Sequence, residues 1–275
     1  MEKVESIEQL KELIAYVRNM RQGFVTNFYL DEEKHAAWIR TGEFQYDKWE
    51  DTVFLLFDHY APDNEKYFTN MFYISTSEDA VLARLKEYPE KYIYDLYVLD
   101  IVGRDTMCLP LVEKLKAMRG YNDATLVRMT RLQSEELRVK SEESVVYAKR
   151  EDVGMVDELL HTHFDEQMEQ LPLVEELEKM VERKHVLFSM REGKEAGMLL
   201  FDLNATTLYL RYWLVLPEYR NRGVGSELLR QFLWEGRETK RQILWVNQAN
   251  ENAIVRYEHY GFKKENMYDY IIRYC

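Results

Sequence analysis

Apolar residues recur along the chain either at helical spacing or in short unbroken runs, and this pattern predicts alternating helices and strands. Ser6 and Gln9 have the spacing of a capping box, which marks the start of a helix. The apolar positions that follow at helical intervals are Leu10, Leu13, Ile14 and Val17. We therefore predict a first helix that starts near Ser6 and ends at Gly23.

The remainder of the first half contains β-prone runs and two helical segments. The predicted strands are Phe24–Leu30, Thr52–Tyr60, Tyr67–Ser75, Tyr92–Gly103 and Thr125–Arg131. The predicted helices are Ser77–Tyr88, capped by Ser75 or Ser77, and Leu109–Met118. The polar stretch Gln133–Glu143 has no clear apolar period, so we interpret it as a linker between domains at 1–132 and 144–275.

The second half repeats this alternation. Its predicted strands are Ser144–Arg150, a hairpin in His185–Leu203 that turns at Glu192-Gly193, Thr206–Leu216, Gln242–Asn247 and Met267–Tyr274. Its predicted helices are Asp152–His161, Leu173–Glu182, Val224–Trp234 and Asn250–Tyr260, the last ended by Gly261. The order of these elements predicts an α/β fold with a mixed sheet.

The charge and cysteine content of the chain exclude some classes of function. The 275 residues carry a formal net charge of −12 and a pI of about 5.1, which argues against nucleic acid as the main partner. An acidic surface fits either ordinary solubility or a cationic substrate. Cys108 and Cys275 are too few for a disulfide framework or a metal spacing. The N-terminal residues show no signal-peptide pattern and no apolar run has the length of a membrane span, so we expect a cytoplasmic protein that acts away from membranes.

A cationic, glycine-rich corner stands out in this acidic chain. Arg220-Asn-Arg-Gly-Val-Gly225 follows a predicted strand closely and directly precedes a predicted helix. Glycines let the backbone approach a ligand, and a helix start presents unpaired N–H groups at the positive end of its dipole. A pyrophosphate suits this place, although the letters alone are equally typical of a plain turn. The segment is not a P-loop, because no Gly-Lys-Ser/Thr follows at the required spacing, and it is not the dinucleotide-binding G-x-G-x-x-G, because position 228 is Leu.

Two segments carry a family resemblance. The run LVLPEYRNRGVGSELL resembles the acetyl-CoA signature V-x-P-x-x-R-x-x-G-x-G of the GNAT superfamily of N-acetyltransferases. Asn250–Phe262 resembles the N-x-x-A-x-x-x-Y-x-x-x-G-F segment of the same superfamily, at the expected distance downstream. The resemblance covers about Ser144 to Cys275. It implies a mostly antiparallel mixed sheet flanked by helices, acetyl-CoA as co-substrate and an amine as acceptor.

The resemblance also implies roles for particular residues. The strand before the corner would splay from its neighbour and hold the acyl and pantetheine groups through Trp213, Leu214 and Val215. The residues implied to wrap the pyrophosphate, with charge from the two arginines, are Arg220, Asn221, Arg222, Gly223, Val224, Gly225 and Ser226. Asn250 would contact the pantetheine arm. Tyr257 would protonate the departing thiolate, which a neutral tyrosine hydroxyl can do.

The general base is left open by the sequence. Some family members carry a glutamate on the strand before the corner, but Thr206–Leu216 contains no carboxylate. The alternatives for this role are Asp202, His163, Asp165, Glu166 or a water chain. The pair His161 and His163 has no clear third ligand, so we expect no metal site. The acidic segment His163–Met180 falls where the family binds its acceptor; it either attracts a cationic amine or is a solvated helix face.

The first half resembles a degenerate copy of the second. At its end Lys116 stands where the motif has tyrosine, and the place of the glycine loop is taken by Ser75–Asp79, which has two carboxylates and no glycine. A rival alignment puts that loop at Val102–Asp105. We therefore expect two tandem GNAT-like domains, the first without a cofactor site; an unrelated α/β domain is the alternative. For the whole chain, we expect an acetyl-CoA-dependent N-acetyltransferase, with a non-catalytic acyl-CoA sensor as the alternative.

Overall fold

Helices and strands alternate along the chain, as the pattern predicts. The computed structural model describes residues 1–60, 66–91, 96–118, 120–133 and 141–274. The strands described are β1 (Glu2–Lys3), β2 (Val25–Thr26), β3 (Phe44–Lys48), β4 (Thr52–Tyr60), β5 (Lys66–Ser75), β6 (Tyr97–Gly103), β7 (Gly120–Leu132), β8 (Val145–Tyr147), β9 (Val186–Arg191), β10 (Lys194–Asn204), β11 (Thr207–Val215), β12 (Arg241–Asn247) and β13 (Lys263–Tyr274). The α-helices are α1 (Ile7–Asn19), α2 (Glu32–Thr41), α3 (Glu78–Lys91), α4 (Asp105–Met118), α5 (Val153–His163), α6 (Val174–Glu182), α7 (Val224–Glu235) and α8 (Glu251–His259).

The chain divides into two compact units whose boundaries fall inside strands. The first unit contains Met1–Leu126 and Met267–Cys275, and the second contains Val127–Asn266. Both β7 and β13 therefore begin in one unit and end in the other. The predicted division at 132 and 144 differs from this grouping, because it assigns the last strand to the second half alone. Most of the predicted linker, residues 134–140, lies outside the described residues.

In the first unit, the sheet has the strand order β1-β3-β4-β5-β6-β13, with β2 paired to β5. The end of β13 is antiparallel to β6, from Tyr268 opposite Gly103 to Tyr274 opposite Tyr97. Helices α3 and α4 cover one face, where their apolar residues join strand residues such as Phe54 and Leu99 in one buried cluster. On the other face, an aromatic group closes the core: Phe28, His35, Trp38, Phe44, Phe57 and Phe72.

Two parallel strands diverge in the first unit, and the chain itself fills the gap between them. Among the described residues, β5 and β6 pair only at Thr69–Asn70 with Tyr97–Val98. Beyond that point, the Asn27 Nδ2 group donates to the carbonyl of Met71 on β5 (3.3 Å) and to that of Asp100 on β6 (3.1 Å). The N–H of Tyr73 donates to Asn27 Oδ1 at 2.6 Å. One side chain thus satisfies backbone groups of both diverging strands.

The sheet of the second unit has the order β7-β12-β11-β10-β9-β8. The pairs of β8, β9, β10 and β11 are antiparallel, and β11 pairs with β12 in parallel. Helices α5 and α6 pack on one face against residues such as Phe188 and Leu214, while α7 packs on the other, where Phe232 lies edge-on to Phe201. Arg131 on β7 donates to Gln242 on β12 at 2.6 Å, deep in the core.

Several sequence predictions need correction. Helix α1 ends at Asn19, four residues before Gly23, because Arg21 already adopts a left-handed conformation with φ of 57°. Of the predicted strand Phe24–Leu30, only Val25–Thr26 is a strand. Helix α2 and strand β3 were not predicted at all. Part of the predicted strand Tyr92–Gly103, residues 92–95, lies outside the described residues.

Candidate functional site

The site is built where β11 and β12 separate. The two strands pair over Thr207–Leu210 and Arg241–Leu244. Beyond these residues β11 continues to Val215 and β12 to Asn247, and the described ladder contains no further pair between them. The edge of β11 from Arg211 onward therefore faces an opening with its backbone N–H and C=O groups free of β12. An extended ligand can bind such an edge as an added strand would.

Side chains of β11 alternate between the two faces of the sheet. Leu214 is buried in the core under α5 and α6. Trp213 and Val215 point to the opposite face, where the start of α7 lies against them. The Trp213 indole N–H is buried and has no hydrogen-bond partner among the described residues. Leu214 can thus contribute only its main chain to a ligand in the opening.

The corner after β11 is a short 3₁₀ turn, Pro217–Tyr219, followed by two left-handed residues. Asn221 has φ of 61° and Gly223 has φ of 82°. Gly223 is the N-cap of α7 and offers no side chain to the helix start. The first helical bond is from Glu227 N–H to the Gly223 carbonyl (3.0 Å), so the N–H groups of Val224, Gly225 and Ser226 have no partner within the helix. These N–H groups form the positive end of the α7 dipole.

The two glycines of the corner are needed for different reasons. A Cβ at Gly223 would meet no atom closer than 3.9 Å, so only its left-handed backbone requires glycine. A Cβ at Gly225 would lie 2.8 Å from Trp213 Cζ2 and 3.2 Å from Val215 Cγ2. Gly225 therefore lets the start of α7 pack directly on the open part of β11.

Charged groups surround this helix start. Arg220 and Arg222 are exposed, as is Asn221, and the Arg220 Nε group donates to the Val215 carbonyl at 3.3 Å. Val224 is buried, so only its backbone N–H can face a ligand.

Glu227, in the first turn of α7, would repel an anion if its charge were free. It instead accepts hydrogen bonds from Arg191 (2.6 Å), Ser144 (2.9 Å) and Ser189 (3.1 Å). Partial burial opposes ionisation, but these bonds outweigh it and hold the pKa of Glu227 below its usual value. This compensation was not foreseen from the sequence.

Tyr257 lies on α8 beside the opening. Its ring is 5.3 Å from the Trp213 ring and 5.9 Å from the Phe262 ring, and the residue is only 5% exposed. Burial, and then the negative charge of Glu169, raise the pKa of the Tyr257 hydroxyl well above its ordinary value. The hydroxyl therefore keeps its proton at all pH values in ordinary use. Asn250 is the N-cap of α8, where its Oδ1 accepts from Ala253 N–H at 3.1 Å.

The segment between α5 and α6 spans the opening. The Tyr212 hydroxyl on β11 donates to the Gln170 carbonyl (2.8 Å), and the Asn247 amide on β12 contacts the sulfur of Met168 (3.4 Å). Glu169 lies between these two attachments. Burial, and then the neighbouring charge of Asp165, raise the pKa of Glu169 to about 7.

The four side chains that the sequence suggests as general bases either have other polar partners or are exposed. Asp202 accepts from Arg211 at 3.0 Å, Asp165 accepts from Gln167 N–H at 2.9 Å, and Glu166 lies 3.6 Å from His161. His163 is exposed at the end of α5. Sequence reasoning missed Glu169, although it is within the acidic segment His163–Met180. Its position between two strand anchors is a tertiary feature that no local pattern marks.

The first unit has a counterpart of the glycine corner that carries negative instead of positive charge. Strand β5, helix α3 and the parallel strand β6 follow one another as β11, α7 and β12 do. The Ser77 hydroxyl caps α3 by accepting from Ala80 N–H at 3.1 Å, and Glu78 and Asp79 occupy the first turn. This order favours Ser75–Asp79 over Val102–Asp105 as the counterpart of the glycine corner, because the latter precedes α4. Lys116 on α4 is exposed and pairs with Glu113 at 3.0 Å.

The sequence profile of the acetyltransferase (GNAT) family matches residues 153–262. This segment is therefore similar in sequence to the GNAT acetyltransferases. It contains the glycine corner, the open edge of β11 and Tyr257. No curated protein is similar enough in sequence to count as a match.

Solved structures extend the similarity in fold beyond the GNAT domain. A tandem GNAT protein from the clavulanic acid biosynthesis pathway has a TM-score of 0.58 at 12% identity, over 96% of this chain and 95% of that one. A GCN5-related N-acetyltransferase from Sphaerobacter thermophilus has a TM-score of 0.56 at 16% identity, over 96% and 90%. Another, from Kribbella flavida, has a TM-score of 0.57 at 9% identity, over 88% and 93%. The chain therefore has a tandem GNAT-like fold.

No group of three or more histidine, cysteine, aspartate or glutamate residues is placed to hold a metal ion in the part of the chain that the structure describes. Among the described helices, none combines the length and apolar character needed to cross a membrane.

Proposed function

We propose that the GNAT domain transfers an acetyl group from acetyl-CoA to a primary amine. The observation that carries this proposal is the continuity of three features. The open edge of β11 leads directly to the uncapped start of α7, and Tyr257 lies against Trp213 on that edge. Acyl-CoA chemistry needs an extended groove, an anion site and a proton donor, and the three features supply these in that order.

The residues present fit acetyl-CoA. Free N–H groups at Val224, Gly225 and Ser226 would bind the pyrophosphate, and Arg220 and Arg222 would add positive charge. The main chain of Trp213–Val215 would hold the pantetheine arm and the acyl group. Asn250 lies at the start of α8, on the route that the arm would follow toward Tyr257.

Tyr257 would then act as the general acid. Acyl transfer forms a C–N bond and breaks the C–S bond of the thioester, and the departing sulfur needs a proton. A hydroxyl whose pKa is raised by burial holds that proton until the C–S bond breaks. The molecule supplies this group within a wall of aromatic rings that excludes water.

The acceptor would be a cationic amine. Asp165, Glu166 and Glu169 lie in the segment that spans the opening, and their charges attract an ammonium group. In α6, by contrast, Glu175 pairs with Lys179, so the acidic residues there form a solvated face. The part of the acidic segment before α6 would therefore attract a cationic amine, and the part within α6 is a solvated helix face.

The first unit would not bind acyl-CoA in the equivalent place. Asn27 occupies the backbone groups of the diverging strands β5 and β6, and α3 carries its own cap and two carboxylates. We propose that this unit is a degenerate GNAT-like domain. Electron density for CoA at Asn27 in a soaked crystal would contradict this.

A coupled assay of thiol release, with a panel of amines and acetyl-CoA, tests the proposed function. We expect release with at least one alkyl amine, together with an increase in melting temperature when CoA is added. Stabilisation by CoA without thiol release from any amine would favour the alternative, a non-catalytic acyl-CoA sensor. Absence of both results would overturn the proposal.

A further inference from the structure

We propose that Glu169 is the general base that accepts a proton from the acceptor amine. This inference rests on the proposed function and assigns the role that the sequence leaves open. The strand before the glycine corner contains no carboxylate, so the base must come from another element.

The position of Glu169 is fixed by contacts on both sides of the opening. Its neighbour Gln170 is held by Tyr212 on β11, and its neighbour Met168 is in contact with Asn247 on β12. The edge-on packing of Phe164 and Tyr212, with ring centroids 5.2 Å apart, anchors the start of the same segment. Glu169 is thereby held over the gap in which the open edge of β11 would place the thioester.

The backbone turn around Glu169 adds to this rigidity. Glu169 N–H donates to the Asp165 carbonyl at 2.8 Å, and Met168 N–H donates to the same carbonyl at 3.0 Å. Asp165 Oδ1 accepts from Gln167 N–H. A carboxylate on such a turn loses little further freedom when a substrate binds, which favours efficient proton transfer.

The charged and titratable groups that face Glu169 come from three elements. Asp165 lies on the same segment, Tyr212 on β11 and Tyr257 on α8. Arg211, the neighbour of Tyr212 on β11, pairs with Asp202 at 3.0 Å, and Arg256 on α8 acts on Tyr257. Because burial and a like charge act together, the carboxyl has a pKa of about 7, close to the value that suits a general base at neutral pH.

With Glu169 as base and Tyr257 as acid, every proton in the reaction has a donor and an acceptor. An alkyl amine arrives as an ammonium ion and gives one proton to the Glu169 carboxylate. The freed nitrogen lone pair forms the C–N bond to the acyl carbon, and the C–S electron pair leaves on sulfur, which takes the Tyr257 proton. The second proton on nitrogen restores Tyr257, and Glu169 releases its proton to solvent. The products are the amide, the free thiol of CoA and one proton.

The variant E169Q, with E158Q at an exposed glutamate of α5 as control, tests this inference by turnover. Wild-type kcat/KM for an alkyl amine should rise with pH through about 7, because Glu169 must be ionised to accept the proton. In E169Q this rise with pH should be absent, and kcat/KM should be lower by about 10²–10⁴-fold. With an aromatic amine, which is uncharged at neutral pH, the loss should be much smaller. E158Q should retain the wild-type profile.

A second readout needs no substrate. The pKa of Glu169 is raised from an ordinary value of 4.5, so the folded state holds a proton that the unfolded state has lost between about pH 4.5 and 7. Wild-type stability therefore falls across this range relative to E169Q. The melting temperature of E169Q should exceed that of the wild type near pH 8, and the difference should shrink near pH 5.

The outcomes separate the two proposals. An active wild type together with an E169Q variant that keeps the rate and the pH limb would overturn Glu169 as base and leave the proposed function intact. Identical pH dependence of stability in the two proteins would overturn the inference as well. A wild type that releases no thiol with any amine would overturn the proposed function itself.

Discussion

At the scale of single residues, Tyr257 combines two properties that are seldom found together on a protein surface groove. It is nearly fully buried between aromatic rings, yet it lies next to the open edge of β11. Burial fixes its protonation state, and the position makes its proton useful. The role proposed for it depends on the hydroxyl alone, since the ring packs as a phenylalanine ring would.

We predict that Y257F lowers kcat by about 10²–10³-fold while CoA binding is retained, because only the proton donor is removed. The contacts with Trp213 and Phe262 persist, so stability should change by no more than about 1 kcal/mol. Steady-state kinetics and CoA-dependent melting measure the two effects. Y260F, at the C-cap of the same helix, is the control that should remain active. Full activity of Y257F would exclude Tyr257 as the acid.

Gly223 allows a comparison with a matched glycine elsewhere. Gly223 and Gly193 have nearly the same left-handed φ, +82° and +77°, and a Cβ would meet little or nothing at either. We expect Gly223→Val and Gly193→Val to lose similar stability, about 1–2 kcal/mol each, through backbone strain. Only Gly223→Val should abolish the increase in melting temperature with CoA. Unchanged CoA stabilisation in Gly223→Val would remove the pyrophosphate site from this corner.

At the scale of elements, the anion site proposed at the start of α7 depends on Arg191 of β9, which pairs with Glu227 at 2.6 Å and offsets its charge. We predict that R191M weakens CoA binding by about two- to five-fold, because a free carboxylate then opposes the positive end of the helix. Isothermal titration would measure this loss. Adding E227Q to R191M should restore the affinity, and failure of the double variant to do so would show that Arg191 acts in some other way.

The elements predicted from the sequence are those with strong local signals. Ser6 caps α1 as predicted, and Glu192-Gly193 forms the hairpin turn with two left-handed residues. Helix α2 escaped prediction although Asp31 caps its start and Gly42 ends it, because its apolar positions include His35, buried among aromatic rings. Burial lowers the pKa of His35 to about 4, so it behaves as an apolar residue.

The site was predictable to the extent that its motif is local. The glycine corner and Tyr257 lie within continuous segments whose spacing can be read directly. Glu169, Asn27 and the pairing of Arg191 with Glu227 depend on contacts between distant segments. Strand composition likewise gives no sign that Phe24–Leu30 leaves the sheet after Thr26 and that Asn27 then closes the gap between two other strands.

At the scale of the whole molecule, the two halves of the sequence are not the two units of the structure. Seven residues of β13, from Tyr268 to Tyr274, pair with β6 in the first unit. Val127–Leu132 of β7 belong to the second unit, where Arg131 bonds to Gln242. Each half of the chain thus contributes the end of its last strand to the other unit.

We predict that fragments 1–132 and 144–275, produced separately, aggregate or remain unfolded. The first would leave the edge of β6 unpaired and the second would leave Gln242 without Arg131. Co-expression should give a soluble complex with the circular dichroism spectrum of the intact chain. If each fragment folded cooperatively alone, this would contradict the conclusion that each half needs the end of the other half's last strand. The intact protein cleaved at a protease site placed between Gln133 and Ser141 is the control, and its halves should stay associated.

The exchanged strand has a consequence for synthesis on the ribosome. The Tyr274 hydroxyl donates to the carbonyl of Leu85, 189 positions earlier in the chain. A nascent chain emerges from its N-terminus, so the sheet of the first unit keeps an open edge until residues 268–274 have been translated and have left the ribosome. The first unit, most of which is synthesised before the second, is therefore completed after it, and a chain that stops before residue 268 would lack the strand that closes its sheet.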